Sequence, residues 1–466
     1  MNKKITVNLA VAIAIIAMTV TFSVTMLLSM RMFDSTSANV REKETMYNKI
    51  AEIDRTVRAD YYGEINEETL RDLLAAGYMT GTGDRYAAYY SVSQYNDWRE
   101  VQTGQVVGIG VDVAKDASGY ARVIRVYPGS PAADIGLTTQ TYITRIGEND
   151  VRSLSLSQIN TQLRGESGTS VTITALDRNT AEEQTAELQR RQYDMPTVYY
   201  SVPEGEDIGY VQITTFNDQT ADELSAAAEA LKGGETPVRA LVIDVRNNDG
   251  GSLDSALDAI DVLCPVGPIA SRLEKDGSTR LLDTSDNQEI GLPVAVLVNA
   301  NTTAGAELFA TSVRDFGIGR IVGVTTAGKG SIQCDPVPLS DGSAIVYTVG
   351  MLLTKNGESF DGTGVIPDVE VLLTADQEAA FYDFTVETDP QIVKAFETAA
   401  SLLNAGQSTE SETAESASGS TSGSAPAESV SAPAESVSAP AESTSAPAES
   451  TSESAPASSD SASAAE

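Results

Sequence analysis

Lys329 sits between two glycines, in Gly328-Lys329-Gly330, with Gln333 shortly after it. The chain has no histidine, which excludes a Ser-His-Asp triad, a Cys-His dyad and a histidine-bound metal. A hydroxyl nucleophile served by a lysine base is the main hydrolytic arrangement left. Such a lysine must be partly neutral near neutral pH, through burial or a cationic neighbour. Upstream, Val294–Val298 is an apolar run long enough for one buried strand, and residues 299–305 form a small, polar turn. From Glu307 on, the spacing of Phe309, Val313 and Phe316 predicts a helix with one apolar face. Strand, sharp turn and helix start is where many hydrolases expose a nucleophile, because N–H groups there point at developing negative charge. Ile321 and Val322 predict a second strand just ahead of the lysine loop.

Together with Asn299, Glu307 and Asp315, the Gly328-Lys329-Gly330 and Gln333 pattern resembles the C-terminal processing peptidases. These are serine endopeptidases of the Ser-Lys type that carry a PDZ domain. The resemblance implies that Lys329 is the general base and that Gln333 orients it. It puts the nucleophile 25 residues before Lys329, where this chain has Ala304, with no serine between Asn299 and Glu307. A methyl group cannot attack a carbonyl, so the family's covalent step is unavailable at that position. Thr303 and Thr302 carry hydroxyls one and two residues away and are the alternative nucleophiles, although such a shift along a turn disrupts attack geometry. Their other role is to hydrogen-bond the turn and cap the helix. The run R-N-N-D-G-G at 246–251 stands where the family has R-N-N-P-G-G. By resemblance, Gly250 and Gly251 contribute the oxyanion hole, and Asp249 sets a carboxylate near it, where it would repel developing negative charge.

Residues 101–192 resemble a PDZ domain. Val107, Gly108, Ile109, Gly110 and Val111 match its carboxylate-binding loop. Glycines there let N–H groups face a peptide's terminal carboxylate while the peptide adds as a strand. The runs G-S-P-A-A-D-I-G-L (129–137) and L-R-G-E-S-G-T-S-V (163–171) follow in the expected order. Strands and helices alternate within residues 193–375, which predicts the α/β peptidase core. Residues 32–100 read as an N-terminal helical region in which Asn66 can cap a helix. Residues 376–404 read as a helical segment that packs back on the core. The expected fold class is an α/β peptidase core with an inserted, mainly β PDZ domain, an N-terminal helical region and a disordered C-terminal tail.

Residues 5–30 hold no charged residue and follow Lys3 and Lys4. They are long enough to span a bilayer. With no small-residue cleavage site after them, residues 1–31 read as an uncleaved single-pass signal anchor of the cell membrane. The bulk of the chain is then extracytoplasmic; a cleaved leader and a secreted protein is the alternative. Within residues 405–466 the unit S-A-P-A-E-S recurs with a seven-residue period. Its lack of apolar mass is the composition of a disordered tail. That tail has ten acidic and no basic residues, and the whole chain carries a net charge of −35, which argues against nucleic acid as a partner. Cys264 and Cys334 offer neither a disulfide framework nor zinc-ligand spacing, so no metal and no cofactor is expected. Expected partners are proteins with exposed C-terminal tails and the membrane, with a homodimer one option for assembly. Two functions stand open. One is a tail-specific endopeptidase gated by PDZ recognition. The other is an inactive relative that binds tails as an adaptor or decoy.

Overall fold

The computed structural model describes residues 7–234, 237–286 and 290–417. The first element is a helix of 54 residues, Val7–Asp60. The apolar run at 5–30 begins before the described residues, and most of its side chains lie outside them. Among the described residues no helix is long and apolar enough to cross a membrane. Asn66 caps the next helix, Glu67–Gly81, its side chain accepting from the N–H groups of Glu68 and Thr69. Helix Val92–Gln102 starts on a reciprocal Ser91–Gln94 capping box. The N-terminal region is not purely helical, however. Ala88–Tyr90 is a strand that pairs antiparallel with Ala344–Val346 from far along the chain, so this region is stitched to the core.

Residues 105–194 build a sheet unit with its own core. Gln105–Gly108 pairs with Arg191–Asp194 and closes the unit at its base. The main sheet runs Val111–Lys115, Ala121–Val126, Thr141–Ile146, Ser170–Asp177, Glu183–Gln189. Val171, Ile173 and Ala175 alternate inward along one strand, the period-2 pattern of a half-buried sheet. They meet Ile159 and Leu163 of helix Leu156–Leu163. Val111–Lys115 is an edge strand with a single sheet neighbour.

The α/β core is a mostly parallel sheet in the order Val198–Ser201, Ile208–Ile213, Ala240–Asp244, Val294–Val298, Gly319–Gly323, Val369–Glu370. Ala240–Asp244 and Val294–Val298 are buried along their whole length, as central strands covered on both faces must be. Leu241, Ile243, Val294, Val296 and Val298 face the cluster that contains Phe309 and Ile260. Ala240, Val242, Ala295 and Leu297 face Ile392, Ala395 and Ala399 of helix Pro390–Ala417. The C-terminal helix therefore packs on the core as the sequence predicts, but it runs on to Ala417, past the expected start of the tail at 405. The rest of that tail, from 418, lies outside the described residues. Between the short helix Ala375–Ala379 and Pro390, residues 381–389 form a strap across the molecule.

Candidate active site

The central strand Val294–Val298 ends in the turn that feeds helix Gly305–Asp315. Polar side chains fix this turn. The Asn299 Oδ1 accepts from the N–H groups of Asn247 and Asn301. Thr302 is fully buried, and its hydroxyl donates to the Val245 carbonyl at 2.9 Å. The Thr303 hydroxyl donates to the Asn301 carbonyl at 3.1 Å. Both alternative nucleophiles are thus engaged in holding the turn together. Ala304 has φ 53° and ψ −112°, a strained conformation for a residue with a Cβ. Such strain is what exposes a side chain at a strand-to-helix elbow.

Glu307 explains how the elbow is held. It is completely buried. Its carboxylate accepts from the N–H groups of Ala304 (2.8 Å), Gly328 (2.7 Å) and Lys329 (2.9 Å), and from the Thr326 hydroxyl. One side chain therefore ties Ala304 to the lysine loop, although 25 residues separate Ala304 from Lys329. The sequence contained a signal for this role, an acidic residue at the third position of the helix. Its partners on the distant loop could not be read from it.

The Lys329 ammonium lies 4.9 Å from the centre of the Tyr86 ring and makes no hydrogen bond among the described residues. Burial pulls its pKa below the ordinary lysine value, while the negative charges of Asp249 and Glu307 pull it back up. This is the environment a lysine base requires. Gln333 does not reach it. The Gln333 amide donates to the Ser331 carbonyl (3.3 Å), the Ser331 hydroxyl (3.0 Å) and the Thr348 hydroxyl (3.2 Å). The cause is a bulge between Ile332 and Gln333, which sets Gln333 opposite Thr348. Thr348 in turn donates to Asp84 through its N–H and its hydroxyl. Burial opposes ionisation of Asp84, but these bonds and the Tyr86 N–H outweigh it and hold its pKa below the usual value. Gln333 so anchors the lysine loop to the N-terminal region that carries Tyr86.

Gly250, at φ 100°, is where the two turns touch. A Cβ on it would lie 3.1 Å from the Ala304 Cβ and 2.9 Å from the Thr303 carbonyl oxygen. Its N–H, however, donates to the Asn248 Oδ1 at 2.8 Å, so it is already committed. The Gly251 N–H has no such partner among the described residues, but its neighbours are Phe216 and Thr215 rather than Ala304. Asp249 is exposed, with the Thr215 hydroxyl 3.4 Å away.

The predicted carboxylate loop is also partly occupied. The Val107 N–H donates to Glu100, Gly108 is paired with Arg191, and the Ile109 N–H donates to the Leu163 carbonyl at 3.3 Å. Ile109, Gly110 and Val111 nevertheless line a cavity of about 960 Å³, whereas Val107 and Gly108 do not. Other walls are Thr215, Asn247 and Asp249 from the core and Phe381, Tyr382, Phe384 and Glu387 from the strap. The strap is fixed at two points. Asp383 takes the guanidinium groups of Arg178 and Arg122, which lower its pKa to about 2. Asp389 pairs with Arg246 at 2.9 Å, and Arg246 also binds Asp244, all three groups being buried. Sequence reasoning missed the strap, since its aromatic cluster reads as ordinary helix packing.

Residues 207–371 match the model of peptidase family S41. A Staphylococcus aureus (strain MRSA252) protein described as "Probable CtpA-like serine protease" is 28% identical over 327 residues, covering 70% of this chain and 64% of that one. Residues 207–371 are thus similar to peptidase family S41. The counterpart of the same description in Staphylococcus haemolyticus (strain JCSC1435) is 28% identical over 338 residues, covering 72% of this chain and 66% of its own length. The chain thus spans just under two thirds of the length of these relatives. A Bacteroides fragilis NCTC 9343 structure described as an S41 protease shares the fold, with a TM-score of 0.50 and 18% identity, over 74% of this chain and 92% of that one. The photosystem II D1 C-terminal processing protease gives a TM-score of 0.45 at 25% identity, over 73% of this chain and 92% of that one. The family resemblance read from the motifs around Lys329 is thereby borne out. This chain holds its elbow, its buried Glu307 and its lysine loop together around a methyl group.

Proposed function

We propose that this chain binds the C-terminal tails of proteins without cleaving them. The observation that carries this reading is Ala304 at the strained elbow, with the hydroxyls of Thr302 and Thr303 engaged by backbone carbonyls. The nucleophile position offers no atom able to attack. Binding is supported by the free edge of strand Val111–Lys115, which faces the cavity. In this reading residues 101–192 act as a PDZ domain, and a tail adds to that edge as a further strand. Endoproteolysis is the alternative, favoured by the depressed pKa of Lys329. It would require Thr303 to give up its bond to Asn301.

The test is to incubate the purified protein with an unstructured protein such as casein and to titrate it with fluorescent peptides ending in a free apolar residue. Intact casein and saturable peptide binding, weakened when the terminal carboxylate is amidated, are expected. Cleavage abolished by Thr303→Ala would overturn the reading. We also propose that residues 5–30 anchor the chain as a single span with its bulk outside the cytoplasm, on the strength of their uncharged, apolar sequence. Release of the protein from membranes by high salt alone would sink that proposal.

A further inference from the structure

The cavity beside strand Val111–Lys115 has unequal ends. Most charges on its walls are already satisfied. Asp112 lies 3.7 Å from Arg125 and accepts from the Tyr127 hydroxyl, and Arg246 is closed off by Asp244 and Asp389. Arg164, Asp249 and Glu387 remain, all lining the cavity and none with an ion-pair partner among the described residues. Arg164 bridges to Gly108 beside the Ile109–Gly110 corner, while the two carboxylates are exposed, Asp249 also acting on the Lys329 charge. One frame holds the two carboxylates. Arg246 leads into the turn that carries Asp249, and it grips Asp389, two residues after Glu387. Both carboxylates therefore line the cavity from the core and the strap, whereas Ile109 and Gly110 line it from the sheet unit. Asp249 also neighbours Gly250, the residue in contact with Ala304.

We propose that the cavity takes a protein tail with a lysine or arginine upstream of its terminal carboxylate, the basic side chain lying at the Asp249–Glu387 end. This rests on the tail-binding reading above. A tail added to the edge strand with its carboxylate at the Ile109–Gly110 corner advances about 3.3 Å per residue. Its upstream residues then pass between core and strap, where the two unpaired carboxylates complement a cation and repel an anion. The chain's own segment 405–466, acidic and without a basic residue, has the wrong charge for that end.

The experiment titrates the full-length protein with ten-residue peptides ending in a free carboxylate, in which a single lysine is walked through each upstream position of an otherwise uncharged sequence. A matching series carries glutamate. One or two adjacent lysine positions are expected to tighten binding about three- to tenfold over the uncharged peptide, as for partly exposed ion pairs, with glutamate weakening it at the same positions. The preference, read as the ratio of lysine-peptide to uncharged-peptide affinity within one protein, should vanish in Asp249→Asn/Glu387→Gln, with folding checked by the melting temperature. A flat lysine scan on peptides that do bind would overturn this inference and leave tail binding standing. An equal gain at every position that survives in the double variant would reflect general attraction to an acidic protein and would also overturn it. If no peptide binds, with acid or amide end, the tail-binding reading itself fails.

Discussion

Two turns meet at Gly250, and each carries a non-glycine residue at positive φ: Asn247 at 58° and Ala304 at 53°. Asparagine tolerates the left-handed region, and here its side chain is well used. The Asn247 Oδ1 accepts from the amides of Asn299 and Asn301, and its N–H donates to the Asn299 Oδ1. Ala304 has no side-chain bond to offset its strain. Its conformation is imposed from outside, by the Glu307 carboxylate on its N–H and by Gly250 against its Cβ. The first turn is shaped by its own residue and the second by its surroundings. A strained backbone without local compensation points to a geometry once needed for chemistry, or kept by packing alone.

The sharpest way to separate those causes is Ala304→Ser. Loss of a nucleophile costs on the order of 10⁶-fold in rate, so casein cleavage should rise from undetectable to readily measured, and should vanish again in Ala304→Ser/Lys329→Ala. With Lys329 as base, the activity of the serine variant should increase as pH rises. Its midpoint should fall below the roughly 10.4 of a free lysine, because burial lowers the Lys329 pKa. A folded, peptide-binding but inert serine variant would show that the elbow is retained for packing alone.

Glu307→Ala tests how far the second turn depends on its surroundings. It strips the partner from three N–H groups and a hydroxyl in a buried site, and should cost about 3–5 kcal/mol of stability in denaturant unfolding. A loss near zero would mean that the elbow holds itself. Gly250→Ala should cost about 2–3 kcal/mol, since its new Cβ would crowd Thr303 and Ala304 and its φ suits only glycine.

The smallest effects draw the comparison most finely. Ala304→Gly should be neutral or stabilising by about 1 kcal/mol, because relief of backbone strain slightly exceeds the added entropy of the unfolded chain. Asn247→Ala should instead destabilise by about 1–3 kcal/mol, since it leaves the Asn299 and Asn301 amides short of an acceptor and removes a residue suited to positive φ. Thermal melts of the two variants shifting in the same direction would dissolve the contrast between the turns.

Much of this arrangement was legible in the residues. The buried strand Val294–Val298, the turn after it, the helix and the lysine loop follow from apolar spacing and glycine placement, and the sheet unit at 105–194 from ordered glycine-rich runs. What could not be read was the direction of individual hydrogen bonds. The Gln333 amide is captured by Thr348 because of a bulge, and the Gly250 N–H by Asn248 because of a local turn. The expectation at Val107 and Gly108 failed because both are held in the base of the sheet unit. The strand Ala88–Tyr90 and the strap gain their order from partners more than 140 residues away, and no local pattern announces such pairs.

Glu307 carries a consequence for how this site can change over generations. Because the same carboxylate holds both the elbow and the lysine loop, a variant that loses it should lose stability together with the site geometry. Selection for a folded protein is then sufficient to preserve the machinery, whether or not it is used. Alanine and serine codons can differ by a single base, so Ala304 lies one mutational step from a residue that carries a hydroxyl.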